Sequence, residues 1–170
     1  MTPLPDILEA DLSIVFVGIN PGTTSAQVGH YYARSTNLFW PMLHESGLLP
    51  HPLKPEDDWK LVRFGIGLTD VVKRSSDSAS DLTRAEFEAG AIVVQNKIRM
   101  YRPRIVCLNG LTAYRALFGR NEGPGAKPQR IGESRVFVVP STSRRNAGYP
   151  RETVLFWFKE LERFRREKMA

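Results

Sequence analysis

The chain has 170 residues, 42% hydrophobic and 25% charged, with a formal net charge of +6, ordinary proportions for one compact globular domain. No apolar run approaches the ~20 residues of a membrane span, and the opening Met1-Thr2-Pro3-Leu4-Pro5-Asp6 has neither the basic start nor the apolar core of a signal peptide. The single cysteine excludes an internal disulfide and a cysteine-held cluster, and three histidines without ligand spacing argue against zinc.

One domain over residues 1–170 is therefore expected, with no metal and no cofactor, in a reducing, cytoplasmic setting (nucleoid-associated if the source is bacterial). The positive excess suits a polyanionic partner. Arg144 and Arg145, side by side in a polar loop, are the better candidates for it. Arg163, Arg165, Arg166 and Lys168 read as a solvated helix face.

Ser13-Ile14-Val15-Phe16-Val17-Gly18 is a short β-branched run stopping at glycine, which predicts a buried strand. Residues 19–36 form a polar, glycine-bearing segment and read as loop. Asn37-Leu38-Phe39-Trp40-Pro41-Met42-Leu43 opens a helix ending near Gly47, with Asn37 in the N-cap position and Pro41 in the first turn. Residues 51–58 are loop-like, 59–64 fit one or two helical turns, and 64–70 read as extended. Residues 81–86 resemble a capping region for a long helix through about Tyr101, stopped by Pro103. Ile105–Asn109 is a second clear strand, with Cys107 as a buried core thiol, and Leu111–Phe118 a helix. Residues 120–132 are a glycine- and proline-rich loop, Val136-Phe137-Val138-Val139 a third strand, and a helix from about 151 to 168 ends the chain.

Strands alternating with helices predict a three-layer α/β/α fold with a mainly parallel sheet. Ligands in such folds gather beyond the carboxyl ends of the strands. That rule points to residues 19–22, 69–71, 109–111 and 140–145.

Two of these strand ends are distinctive: Gly18-Ile19-Asn20-Pro21-Gly22 and Val139-Pro140-Ser141-Thr142-Ser143-Arg144-Arg145. Together with Gly29-His30-Tyr31-Tyr32, Asn37-Leu38-Phe39-Trp40, Gly65-Ile66-Gly67-Leu68-Thr69-Asp70 and Tyr149-Pro150-Arg151, they cover nearly the whole chain. On these segments the sequence resembles the mismatch-specific uracil-DNA glycosylases, a family that includes the thymine-DNA glycosylases. The resemblance implies a uracil-DNA glycosylase-like α/β fold. It also implies a monofunctional hydrolase that releases uracil, with thymine as a second candidate, mispaired with guanine in double-stranded DNA. Such an enzyme starts base-excision repair, and a monomer is expected.

Cleaving the N-glycosidic bond develops positive charge on deoxyribose and negative charge on the departing base, so the enzyme must expel the base, stabilise its anion and place water behind the sugar. Asn20 matches the family's catalytic asparagine, which positions that water; the local alternative is a turn residue before Pro21. The loop from Pro21 to Tyr32 is expected to wrap the base, with Ile19, Gly22, Gly29, Tyr31 and Asn37 among the base-binding residues. Gly22 and Gly29 permit close approach or positive φ. Tyr32 matches the aromatic stacking position, core packing being the alternative, and Tyr31 stands where some relatives carry histidine. Ser25 and Ala26 fall on the side that would meet a 5-methyl group.

Ser141, Thr142, Ser143, Arg144 and Arg145 match the loop that enters DNA at the lesion, where a side chain must fill the hole left by the flipped nucleotide. Arg145 matches the intercalating arginine and Arg144 is assigned to phosphate. Backbone around Arg144 and Pro150 would read the widowed guanine, and two solvated surface arginines are the alternative. Asp70 is either a second catalytic group, ionised near neutrality if its pKa is the ordinary ~3.9, or a cap for the residues after it. A glycosylase–lyase would need an amine nucleophile, and neither motif contains lysine. A nucleotide-binding α/β protein would carry GxxxxGK[ST] or GxGxxG, both absent. A protein that holds uracil or abasic sites without turnover remains the non-enzymatic alternative.

Overall fold

A computed structural model describes residues 2–144 and 148–169. Arg145, expected to intercalate, lies outside them. Five strands form one sheet in the order β2-β1-β3-β5-β4. They are β1 (Ile14–Gly18), β2 (Ile66–Asp70), β3 (Ile105–Asn109), β4 (Gly125–Ile131) and β5 (Ser134–Val139). All neighbours run parallel except β4, which pairs antiparallel with β5.

The strands alternate their side chains with period two. Ile14 and Phe16 of β1 and Phe137 and Val139 of β5 face α2 (Phe39–Glu45) and α5 (Arg151–Met169). Val15, Val17, Val136 and Val138 face α3 (Arg84–Tyr101) and α4 (Leu111–Phe118). Apolar side chains on both sheet faces explain why the strands read as continuous hydrophobic runs, and the three layers match the expectation. Each fully buried Phe or Leu contributes about 1.5–3 kcal/mol through removal from water. At the sheet edge, Ile7 of the N-terminal arm pairs with Leu68 through two backbone hydrogen bonds of 2.9 and 2.8 Å. The arm thereby covers β2 and brings Leu4 and Asp6 toward the carboxyl end of the sheet.

Several boundaries differ from the sequence reading. Residues 120–132 are not all loop, since β4 runs through Gly125–Ile131. As the edge strand it tolerates Pro128, and the register shifts between Lys127 and Arg130. The segment read as a base-wrapping loop contains α1 (Thr23–Val28), closed by Gly29 at φ 80°. Helix α2 starts at Phe39 with Leu38 as its N-cap, although Asn37 Oδ1 still accepts from Phe39 N at 2.9 Å. A 3-10 helix begins at Pro55 rather than 59. Helix α3 ends at a left-handed Arg102, before Pro103 acts. Its start carries the expected capping box, Thr83 with Glu86.

Candidate active site

The carboxyl ends of β1, β2, β3 and β5 open onto one cavity of about 340 Å³, within the range of small-molecule sites. Ile19, Asn20, Gly22, Tyr31, Tyr32, Asn37 and Asp70 line it, as do Ser141, Thr142 and Ser143. Gly29 does not. It is the exposed C-cap of α1, so its positive φ serves the turn and not the pocket. Gly22 has φ −69° and open space where a Cβ would stand, so neither conformation nor protein contact demands glycine there. The demanding glycine is Gly18. A Cβ there would sit 2.6 Å from Asp70 Oδ1 and 3.0 Å from the Tyr32 hydroxyl oxygen. Its missing side chain lets the ends of β1 and β2 and the Tyr32 ring converge.

Asn20 is tethered through its amide nitrogen. Nδ2 donates to Arg74 O at 2.9 Å and to Ser76 Oγ at 2.8 Å, and Ser76 Oγ donates onward to Ser78 O at 2.8 Å. The Arg74 carbonyl accepts only, which fixes which way the amide is turned. Both amide protons are thereby engaged, leaving Oδ1 as the group that can accept a proton from a cavity water. The turn-residue alternative accounts for none of these contacts, which span more than 50 residues of sequence.

The aromatic wall rests on buried polar anchors. Tyr32 has φ 52° and its ring stacks on Phe39 at 4.1 Å between centroids; Phe39 in turn meets Phe16 and Trp40 edge-on. The Tyr32 hydroxyl is buried beside Gly18 and Asn109, and burial, then the nearby Asp70 carboxyl, raise its pKa above the ordinary phenol value. Tyr31 is only 2% exposed. Its hydroxyl donates to Pro5 O at 2.9 Å, its N–H donates to Asp58 Oδ2 at 3.1 Å, and its carbonyl accepts from Trp40 Nε1 at 3.0 Å. Tyr31 is thus a strut rather than a polar contact for a base. Asp58, within a stretch read as loop, also stands 3.2 Å from His30 Nδ1. Ser25 lines the cavity and accepts from Ala33 N at 3.0 Å, whereas Ala26 does not line it.

Asp70, paired in register with Gly18, is 3% exposed, and its Oδ2 has no hydrogen-bond partner among the described residues. No hydrogen bond from the following backbone reaches the carboxyl, so the capping alternative finds no support among those residues. Burial pushes its pKa up to about 7, against the opposing charge of Lys73; Asp6 adds to the rise and Lys97 opposes it. This corrects the expectation of an ordinary carboxylate fully ionised at neutrality. Asp6 holds both lysines, with Oδ1 2.5 Å from Lys73 Nζ and Oδ2 2.5 Å from Lys97 Nζ.

The strand-end loop after β5 is braced from β3. Asn109 Oδ1 accepts from Thr142 N at 3.1 Å and Asn109 Nδ2 donates to Thr142 Oγ1 at 3.0 Å, while Thr142 O accepts from Leu38 N at 3.0 Å. Thr142 is therefore buried scaffold, 1% exposed, flanked by Ser141 and Ser143. Gly110, at φ 106°, allows β3 to approach Ser141, whose Cβ would stand 3.3 Å from a Cβ at 110. Arg144 donates to Tyr149 O at 3.2 Å and lies outside the cavity lining. Pro150 is exposed and its carbonyl accepts from Thr153 and Val154, at the start of α5. Asn109, Ser76 and Asp58 had no role in the sequence reading, although Asn109 fell at a strand end that the topology rule marked.

A parallel α/β sheet with a polar cavity at its strand ends, walled by an aromatic stack, defines a ligand-binding α/β protein. Comparison carries this further: the model of the uracil DNA glycosylase superfamily matches residues 5–163, and the chain belongs to that superfamily. Its fold is also similar to a solution NMR structure from Methanosarcina acetivorans that carries a provisional uracil DNA glycosylase assignment. The TM-score is 0.63 at 22% identity, over 94% of this chain and 97% of the other.

Proposed function

We propose that the chain is a monofunctional, mismatch-directed glycosylase that hydrolyses uracil opposite guanine in duplex DNA, with thymine as a second substrate. The observation that carries this reading is the tethered Asn20 amide, one strand away from the buried Asp70 carboxyl. A base turned out of the duplex enters the cavity and lies on Tyr32, whose other face is backed by Phe39. Asn20 Oδ1 accepts a hydrogen bond from a water behind the sugar. As the bond breaks, its electron pair leaves with the base nitrogen and the water oxygen bonds to the anomeric carbon. The water proton passes to the Asp70 carboxylate or to solvent. An ionised Asp70 also stabilises the cationic sugar, and a pKa near 7 makes this group sensitive to pH in the neutral range. Positioning supplies most of the rate, since an amide is no strong base.

Arg145 is proposed as the wedge that fills the vacated site, from a loop braced by Asn109 and Thr142. Ser25, tied to Ala33, is the cavity residue on the side assigned to a 5-methyl group. The test is a cleavage panel: uracil and thymine opposite guanine or adenine, and uracil in single strands. Release from guanine–uracil duplex in preference to adenine–uracil supports the proposal. Equal release from both removes mismatch specificity, and tight binding without free base leaves a uracil-holding protein.

A further inference from the structure

At the amino ends of the same strands lies a second cleft, of about 540 Å³. Arg102, Arg104, Arg130, Arg135 and Lys168 line it against two carboxylates, Asp11 and Glu133. The side chain of Arg99 packs close by, 3.4 Å from where a Cβ on Gly132 would stand. These cations are not scattered surface charges. Arg130 and Arg135 are direct cross-strand partners, and the Arg135 N–H donates to the Arg104 carbonyl at 3.0 Å. Three arginines thus stand on adjacent strands, β4, β5 and the approach to β3.

Like charges directly opposite on a sheet destabilise it, and little here offsets that cost. Arg102 meets Asp11 at 3.6 Å with both side chains mostly exposed, and Arg130 reaches only the Glu133 carbonyl. The side chains of Arg99, Arg104 and Arg135 have no ion pair or hydrogen bond among the described residues. A guanidinium row left unpaired in a concave site is suited to fork-like binding of phosphate oxygens. Strand β3, five residues at about 3.3 Å each, separates this cleft from the uracil-site candidate. The two openings face opposite ways, so one duplex seated at the cavity does not reach the cleft.

We propose that this cleft is a second, sequence-independent binding site for the DNA phosphodiester backbone, holding a separate DNA segment while the cavity is occupied. It rests on the function proposed above only in taking DNA as the polyanion. Two bound segments let the protein pass between distant stretches of DNA without full release. The arginine row supplies the contact, and excision itself needs none of it.

The experiment uses the full chain with two short uracil-free duplexes, one labelled with a donor and one with an acceptor dye. The parent is expected to bring both together, giving energy transfer in a complex whose mass is one protein and two duplexes. Arg104→Gln/Arg135→Gln should abolish transfer and keep the melting temperature. Its slope of log affinity against log salt should be shallower by ~1.8, the loss of two phosphate contacts at ~0.9 each. The charge-reversed pair, Arg104→Glu/Arg135→Glu, should do the same, and the glutamine pair carries the test if the reversed pair does not fold. Release of uracil from a short duplex should be unchanged in both. One duplex per parent molecule overturns the proposal, as does undiminished transfer in the glutamine pair. Occupation of the cleft by an oligoglutamate peptide without a second duplex also overturns it, in favour of an acidic protein partner. Bridging without uracil release by the parent would instead remove the excision reading and leave the second site standing.

Discussion

Two corners of one cavity are built on opposite principles. At the end of β1, Asn20 spends both amide protons on fixed acceptors, Arg74 O and Ser76 Oγ, so its orientation is determined and its chemistry does not change with pH. At the end of β2, Asp70 is buried with one oxygen unpartnered, and its charge state is poised near neutrality. One residue is defined by geometry, the other by titration. The pairing teaches how a weakly basic amide and a reluctant carboxylate can share a reaction. The amide holds the water at any pH, and the carboxylate contributes only where the solution lets it ionise.

The sharpest way to break this comparison is Asn20→Ala. It should leave a folded protein that binds mismatched DNA while single-turnover base release falls on the order of 10²–10⁴-fold. A fall of that size at every pH fits a positioning role; a fall confined to one pH range would move Asn20 into the titrating corner.

Asp70→Asn comes next, with a loss on the order of 10²-fold at alkaline pH that shrinks on the acid side of about 7, where the parent carboxyl is itself protonated. The double variant Asn20→Ala/Asp70→Ala should be slower than either single. Stability should move the other way. A carboxyl whose pKa rises from 3.8 to about 7 on folding costs stability increasingly between those values, and fully above them. Asp70→Asn should therefore melt higher than the parent at alkaline pH and no higher at strongly acid pH. A lower melting point at alkaline pH would restore the capping role that the geometry does not support.

Tyr32→Ala should weaken the hold on the flipped base by about 1–3 kcal/mol, the usual worth of base–aromatic stacking. Melting curves separate this from the lost packing on Phe39. The smallest effect is expected for Ser76→Ala, which leaves Arg74 O as the only tether of Asn20. Loss of one neutral hydrogen bond, about 0.5–1.5 kcal/mol, should appear in kcat rather than KM. Full activity in Ser76→Ala would mean that Arg74 O alone orients the amide.

How much of this was legible in sequence depends on whether the signal was local. Ile105–Asn109 and Leu111–Phe118 were readable to the residue, because an apolar run and then a glycine bound each one. The Thr83–Glu86 capping box is likewise a local signature. Strand β4 was not readable, since an edge position excuses a composition of Gly, Pro, Lys and Gln that denies a strand elsewhere. Helix α1, six residues mostly polar, has no apolar stripe to announce it. In the site, the residues beyond β1, β2 and β5 could be named from strand ends and motif. Their supports could not: Asp58 under Tyr31, Ser76 behind Asn20 and Asp6 between two lysines all act across long stretches of chain. The shifted pKa of Asp70 follows from that same burial, which no local pattern encodes.

The central claim is that Asn20 and Asp70 act on one sugar by different means. The measurement that tests it most directly is single-turnover release of free uracil from a guanine–uracil duplex, followed from acid to alkaline pH for the parent, Asn20→Ala and Asp70→Asn. The predicted result is a parent rate that climbs through a pKa near 7, a much lower Asn20→Ala rate that keeps the same climb, and an Asp70→Asn rate that is flat across that range. Near-parental rates in Asn20→Ala, or an unchanged climb in Asp70→Asn, would contradict it.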